Sequence, residues 1–139
     1  MYCTRKLTEQ VWWVGGSDRR LALFENLFPI TRGVSYNSYL ILDEQTAVVD
    51  TVDSSISRQF LENVLHTLDD RPLDYLVINH MEPDHGASVE QILRRYPKVK
   101  VISTEKSFML MRQFGFHPDE HECVEVKEGD THCFGKHTV

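Results

Sequence analysis

The sequence predicts an α/β fold. Three observations point to it. The first fifty residues carry β-branched and aromatic runs separated by Gly and polar turns. Two short, continuous apolar runs follow, "LDYLVIN" (73–79) and "VKVIS" (99–103), as expected of strands covered on both faces. Each is followed by a stretch whose apolar residues recur at helical spacing. A β-rich opening followed by βαβα alternation belongs to the α/β class.

The elements follow in order. "VWWV" (11–14) is a strand stopped by Gly15-Gly16. "VSYNSYLIL" (34–42) is a single strand by composition, "DEQ" (43–45) a turn, and "TAVVD" (46–50) the returning strand of a hairpin. Polar cap residues then precede a helix with Ile56, Phe60, Leu61, Val64, Leu65 and Leu68 on its apolar side, ended by Pro72. After the strand at 73–79, "ASVEQILRRY" (87–96) places Val89, Ile92 and Leu93 on one helical face and stops at Pro97. The strand at 99–103 leads to a helix over 104–114, with Thr104 as N-cap and Gly115 as its end. "ECVEVKEGDTHCFGKHTV" alternates around Gly129-Asp130 like a hairpin entering a further strand. The closing "GKHTV" reads as a strand with nothing left to pair beside it, so the chain looks cut inside an element.

Composition narrows the function. The 139 residues suit one domain, and 41% hydrophobic residues suffice for a core. Formal net charge is −6 with acids and bases interspersed, which argues against nucleic acid as a partner. The runs "LALF" and "YLVI" are too short to span a bilayer, and "MYCTRKLTEQ" has no secretory character. Membrane insertion and export are therefore not expected, and the cytoplasm is the expected location. Cys3, Cys123 and Cys133 are odd in number and lack C-x-x-C spacing, as free thiols in a reducing compartment would be.

"INHMEPDHGAS" (78–88) carries the chemistry. His80, Glu82, Asp84 and His85 fall within six positions, after a buried strand and before a helix. Strand ends of this kind hold ligands in open α/β sheets. Residues 80, 82 and 84 share one side of an extended segment, and Pro83 biases Glu82 towards extension. One nitrogen and two oxygen donors suit iron or manganese, with zinc still open, and two carboxylates suit a binuclear centre. A solvated acidic loop with Asp84 as a helix cap is the plainer alternative. Gly86 allows a tight entry to the following helix.

"HMEPDHGAS" resembles the metal loop of flavodiiron proteins, the A-type flavoproteins, which reads H-x-E-x-D-H-x-G. Hydrolases of the same fold carry His where this chain has Glu82. "RGVSYNSYLILDEQTAVVDTVD" (32–53) and "VWWVGGSD" are similar to that family's opening strands. The resemblance implies a metallo-β-lactamase-like αββα sandwich, of which residues 1–139 would be the N-terminal half, without the flavodoxin-like FMN domain. It implies that His80 and Glu82 bind one iron and Asp84 the other, with His85 and Asp50 as outer residues that orient them. Asp50 is otherwise a plain strand-end turn residue. No catalytic side chain is assigned beyond the ligands. The implied activity is reduction of O₂ to water or of NO to N₂O at a non-haem di-iron centre, with a redox partner such as rubredoxin. The implied pattern also needs further His and Asp ligands downstream, so this chain would hold part of the site and be inactive alone. A binuclear hydrolase of the same fold, or a non-catalytic segment that folds by self-association, are the alternatives. An uncovered sheet face and an unpaired edge would favour a homo-oligomer.

Weaker signals have plainer readings. "HPDEH" (117–121) matches H-x-x-E-H, but Pro118 leaves no room for the long helix that pattern needs, so it reads as a surface turn. Trp12 and Trp13 face opposite sides of one strand. His132 and His137 read as exposed strand residues, and Cys123 and Cys133 as packing around the last turn.

Overall fold

The computed structural model describes residues 2–20, 23–24, 27–29 and 31–139; residues 21–22 of "LALF" lie outside them. In chain order the strands are β1 (Arg5–Lys6), β2 (Val11–Trp13), β3 (Gly16–Asp18), β4 (Leu23–Phe24), β5 (Phe28–Pro29), β6 (Val34–Tyr36), β7 (Tyr39–Leu42), β8 (Thr46–Val49), β9 (Tyr75–Val77), β10 (Lys100–Ser103) and β11 (Cys123–Glu125). The helices are α1 (Ser57–Leu68), α2 (Pro83–Gly86), α3 (Val89–Arg95) and α4 (Glu105–Gln113).

Seven strands form one mixed sheet in the order β1-β2-β7-β8-β9-β10-β11. The strands from β1 to β8 pair antiparallel, and those from β8 to β11 pair parallel through helical crossovers. Two small antiparallel pairs, β3-β6 and β4-β5, stand apart.

The single strand expected over 34–42 is divided. Its first part, β6, pairs with β3, and its second, β7, joins the main sheet. Two chain segments bend together here, because the Val14 amide donates to the Ser38 carbonyl at 2.9 Å. Gly15 permits the crossing: a β-carbon there would lie 2.0 Å from the Tyr36 carbonyl oxygen. Composition saw a continuous β-forming run. The bend is imposed by the neighbouring strand.

The helices follow their spacing, except that Ile56 lies in a short turn ahead of α1 and Leu65, expected on the apolar side, is exposed. Asp53 accepts the Ser55 amide at 2.8 Å and caps the turn that leads into α1. Phe60, Val64 and Leu68 are buried from α1, Val89, Ile92 and Leu93 from α3, and Phe108 and Met111 from α4. All join one cluster with Val14, Leu40, Val48, Leu76 and Val101 from the sheet. The helices therefore share one face. Thr104 caps α4 by accepting the Ser107 amide at 3.2 Å, and Gly115 follows with φ 79°.

The opposite face carries Ile41, Ala47, Tyr75, Val77 and Ile102, and Phe134 is fully buried against them. This corrects two expectations. β11 is not one arm of a hairpin around Gly129-Asp130; it pairs parallel with β10, and residues 127–130 form only a turn. The closing segment is not an unpaired strand. The backbones of His132 and Val139 exchange hydrogen bonds, Cys133 bridges Thr138, and the resulting small hairpin lies back over the sheet. Its cause is Phe134, an apolar side chain with one uncovered apolar face in reach. His137 is accordingly no exposed strand residue: its Nδ1 stands 2.6 Å from Asp43 Oδ2. His132 packs against Tyr75 and Phe134.

Candidate metal centre

The loop starts where the parallel strands end. Ser103, at the end of β10, donates its hydroxyl to the Ile78 carbonyl at 2.7 Å and fixes the exit of β9. Glu82 is extended, φ −65° and ψ 155°, as the following proline requires. Beyond it the expected extension ends, because Pro83–Gly86 coil into α2. The amides of His85 and Gly86 both donate to the Glu82 carbonyl, at 2.9 and 2.7 Å. Gly86 is held against Met81, whose carbonyl oxygen would lie 2.7 Å from a β-carbon. The coil still brings Asp84 back beneath His80.

His80 Nε2 stands 3.6 Å from Glu82 Oε2 and 3.4 Å from Asp84 Oδ1. The other Asp84 oxygen faces His85 Nε2 at 3.7 Å. Two donors each about 2.1 Å from one ion stand about 3.0 Å apart at a right angle and about 3.4 Å apart at the tetrahedral angle. These separations are close to single-ion spans. Among the described residues, His80, Glu82 and Asp84 are the group whose ligand atoms converge, all within 4.8 Å of one another. Asp84 Oδ1 and His85 Nδ1 are buried and make no hydrogen bond. A buried carboxylate oxygen without a donor is costly, and a cation satisfies it. The donor set of imidazole and carboxylate therefore fits a hard or borderline metal ion.

The residues after β8 anchor this loop. Asp50 sits in the left-handed region, φ 57°. From there its Oδ1 accepts the Asn79 and His80 amides at 2.8 and 3.2 Å. Thr51 takes the other end: its amide donates to the His85 carbonyl at 3.0 Å, and its hydroxyl donates to the same oxygen. The Val52 carbonyl accepts the Ser88 hydroxyl at 2.9 Å, and Ser88 in turn meets Ser57 at 2.7 Å. Three consecutive residues thus grip three successive points of the loop. Thr51 falls in the "DTV" stretch that resembles the family, but nothing in the sequence assigned it, Ser57 or Ser88 a role, because small hydroxyl residues carry no periodic signal.

Tyr36 was also not anticipated. Burial pushes its phenol up to about 12, reinforced by the negative charge of Asp53, Asp18 and Asp84. The same acidic surroundings favour a cation. The remaining sequence candidates stay outside this cluster. His117 binds Glu90 at 3.0 Å in a short turn at Pro118–Glu120, as expected of a surface turn. Cys3, Cys123 and Cys133 are free and exposed.

A mixed sheet, helices on one face, and a ligand loop leaving β9 define a metallo-β-lactamase-like unit. Residues 34–138 match the family described as ODP family beta lactamase, and the chain belongs to it. The chain is 36% identical over 122 residues to the anaerobic nitric oxide reductase flavorubredoxin of Pectobacterium carotovorum subsp. carotovorum (strain PC1), a match that covers 87% of this chain and 24% of that protein. It is 34% identical over 129 residues to the flavorubredoxin of Vibrio vulnificus (strain YJ016), covering 92% and 26%. The chain thus spans about a quarter of the length of these relatives. The crystal structure of the flavodiiron protein from Giardia intestinalis superposes with a TM-score of 0.87 at 26% identity, covering 98% of this chain and 33% of that one. Rubredoxin oxygen:oxidoreductase from Desulfovibrio gigas gives 0.87 at 27% identity, covering 98% and 34%. Among the described residues, no helix is long and apolar enough to cross a membrane.

Proposed function

We propose that this chain supplies part of a non-haem di-iron centre for the reduction of O₂ or NO. The observation that carries the reading is the convergence of His80 Nε2, Glu82 Oε2 and Asp84 Oδ1 at single-ion spans. The relatives support it by name, being flavorubredoxins and an oxygen oxidoreductase. His80 and Glu82 would hold one iron; Asp84, whose Oδ1 converges with them while its Oδ2 turns towards His85, would reach the second through Oδ2. His85 meets Asp84 Oδ2 at 3.7 Å, which supports an outer role orienting that carboxylate. Asp50 orients the loop from outside, as hydrogen-bonded carboxylates behind ligands commonly do.

Held by these residues, a pair of irons would supply redox equivalents and charge stabilisation to the diatomic substrate. The chain's own residues prepare that chemistry. Two carboxylates would offset part of the charge of two cations. Asp50 holds the Asn79 and His80 amides, so the backbone that carries the imidazole is fixed without the ion. Glu82, two-thirds exposed, lies at the rim where small substrates enter, while Asp84 is largely covered. In this reading the electrons would be supplied by FMN on a flavodoxin-like unit, with a redox partner such as rubredoxin. The free, exposed thiols suit a reducing compartment such as the cytoplasm. Half-buried Trp13, Tyr39, Val49 and Val124 border the second sheet face and support self-association there.

The test is anaerobic titration of the purified chain with Fe²⁺, with bound metal measured by equilibrium dialysis. Iron should bind weakly and in part, because the chain carries only part of the ligand set, and Glu82→Ala should weaken that binding further. Two tightly bound irons per chain, with Glu82→Ala changing nothing, would refute the assignment. Hydrolysis of ester or amide substrates by the loaded chain would favour the hydrolase alternative.

A further inference from the structure

We infer that Thr51 is a positioning residue for the Asp84–His85 side of the site, separate from the positioning of His80 by Asp50. The inference rests on the metal reading above and divides its supporting structure in two. Asp50 reaches the loop at its start, through the Asn79 and His80 amides. Thr51 reaches it five residues later, at the His85 carbonyl. No hydrogen bond of Asp50 touches α2, and neither Thr51 bond touches His80. The two anchors are consecutive in the chain but act on opposite ends of the ligand set.

The Thr51 contact is unusually committed. The residue is fully buried, and both its amide and its hydroxyl donate to one carbonyl oxygen. That oxygen belongs to His85, at the end of a helix of only four residues. Such a short helix cannot hold its own shape through cooperativity, so an outside anchor sets where it lies. Asp84 and His85 are both on it. If the carbonyl of His85 shifts, the His85 ring and the neighbouring carboxylate shift with it. His80 lies upstream of the turn and has its own anchor. Loss of the Thr51 hydroxyl should therefore loosen one side of the site and leave the other.

The experiment is a Zn²⁺ titration of the whole chain, followed by the imidazole NMR signals of His80 and His85. In the unsubstituted protein both signals respond. Thr51→Val, which keeps the shape and removes the hydroxyl, should raise the Zn²⁺ concentration for half-response of His85 about tenfold, within the range outer-sphere substitutions show. The His80 response should change less than about twofold. Thr51→Ser should restore the His85 response, which a purely packing role for the methyl would not allow. Should Thr51→Val fail to fold, Thr51→Ala carries the same expected split. Equal weakening of both histidines, or no change at His85, overturns the inference. Absence of any response in the unsubstituted protein overturns the metal reading itself, and this inference with it.

Discussion

Asp50 shows how one residue can serve backbone and site together. Its φ of 57° is a conformation that Asp and Asn tolerate better than other side chains. Only from there does its carboxylate face the Asn79 and His80 amides. Asp50→Asn keeps the conformational tolerance and an acceptor oxygen, and should cost under about 1 kcal/mol in urea unfolding. Asp50→Ala removes the acceptor from two amides at a left-handed position and should cost about 2 kcal/mol. Equal effects would show that the hydrogen bonds do not anchor the loop. Gly86 is constrained from the other side. A β-carbon would meet the Met81 carbonyl oxygen at 2.7 Å, and backbone cannot swing away as a side chain can. Gly86→Ala should therefore displace α2, cost about 1–3 kcal/mol and weaken metal binding. A variant with unchanged melting and metal uptake would contradict that contact.

At the scale of elements, the closing hairpin depends on a charged latch. Burial alone would raise the Asp43 carboxyl, but hydrogen bonds from the His137 side chain and from the Glu44, His137 and Lys136 amides outweigh it and hold the group at about 2, against an ordinary 3.8. The unfolded chain takes up the proton at the higher value and the folded chain at the lower. The stabilisation is thus fully present above about pH 4 and disappears as pH falls through about 2. Urea midpoints measured across this window should fall for the native protein and fall less steeply for Asp43→Asn. Parallel curves would show that the latch contributes nothing. Amide exchange over residues 132–139 should accelerate first, because this hairpin is joined to the sheet by few groups.

At the scale of the molecule, the sheet has two unlike faces. One is sealed by three helices. The other relies on Phe134, fully buried on Ile41, Ala47 and Tyr75. Phe134→Ala should cost about 3–5 kcal/mol and expose that face. Increased binding of a hydrophobic dye and concentration-dependent light scattering should follow. A substitution costing under about 1 kcal/mol would mean that the hairpin merely rests on the sheet. Towards the metal end of the same face, Trp13, Tyr39, Val49 and Val124 are half-buried. Self-association through them would appear as oligomers of the native chain on dilution, and a monodisperse monomer at micromolar concentration would oppose it.

What the sequence determined by itself is the set of features encoded within a few residues. Helical spacing marked α1, α3 and α4, because each buries one stripe. Unbroken apolar runs marked β9 and β10, because both faces are covered. The ligand loop was legible because its donors lie within six positions. Tertiary structure decided whatever depended on a distant neighbour. The run over 34–42 divides because Val14 and Gly15 cross it at Ser38 and Tyr36. The closing strand folds back because Phe134 finds an apolar face and His137 finds Asp43, far away in the chain. The loop coils after Glu82 because Thr51 and Met81 leave its backbone no other course. Local propensity states which conformations a segment can adopt, and contacts across the chain select among them, because only they bring the remote donor or apolar surface within reach.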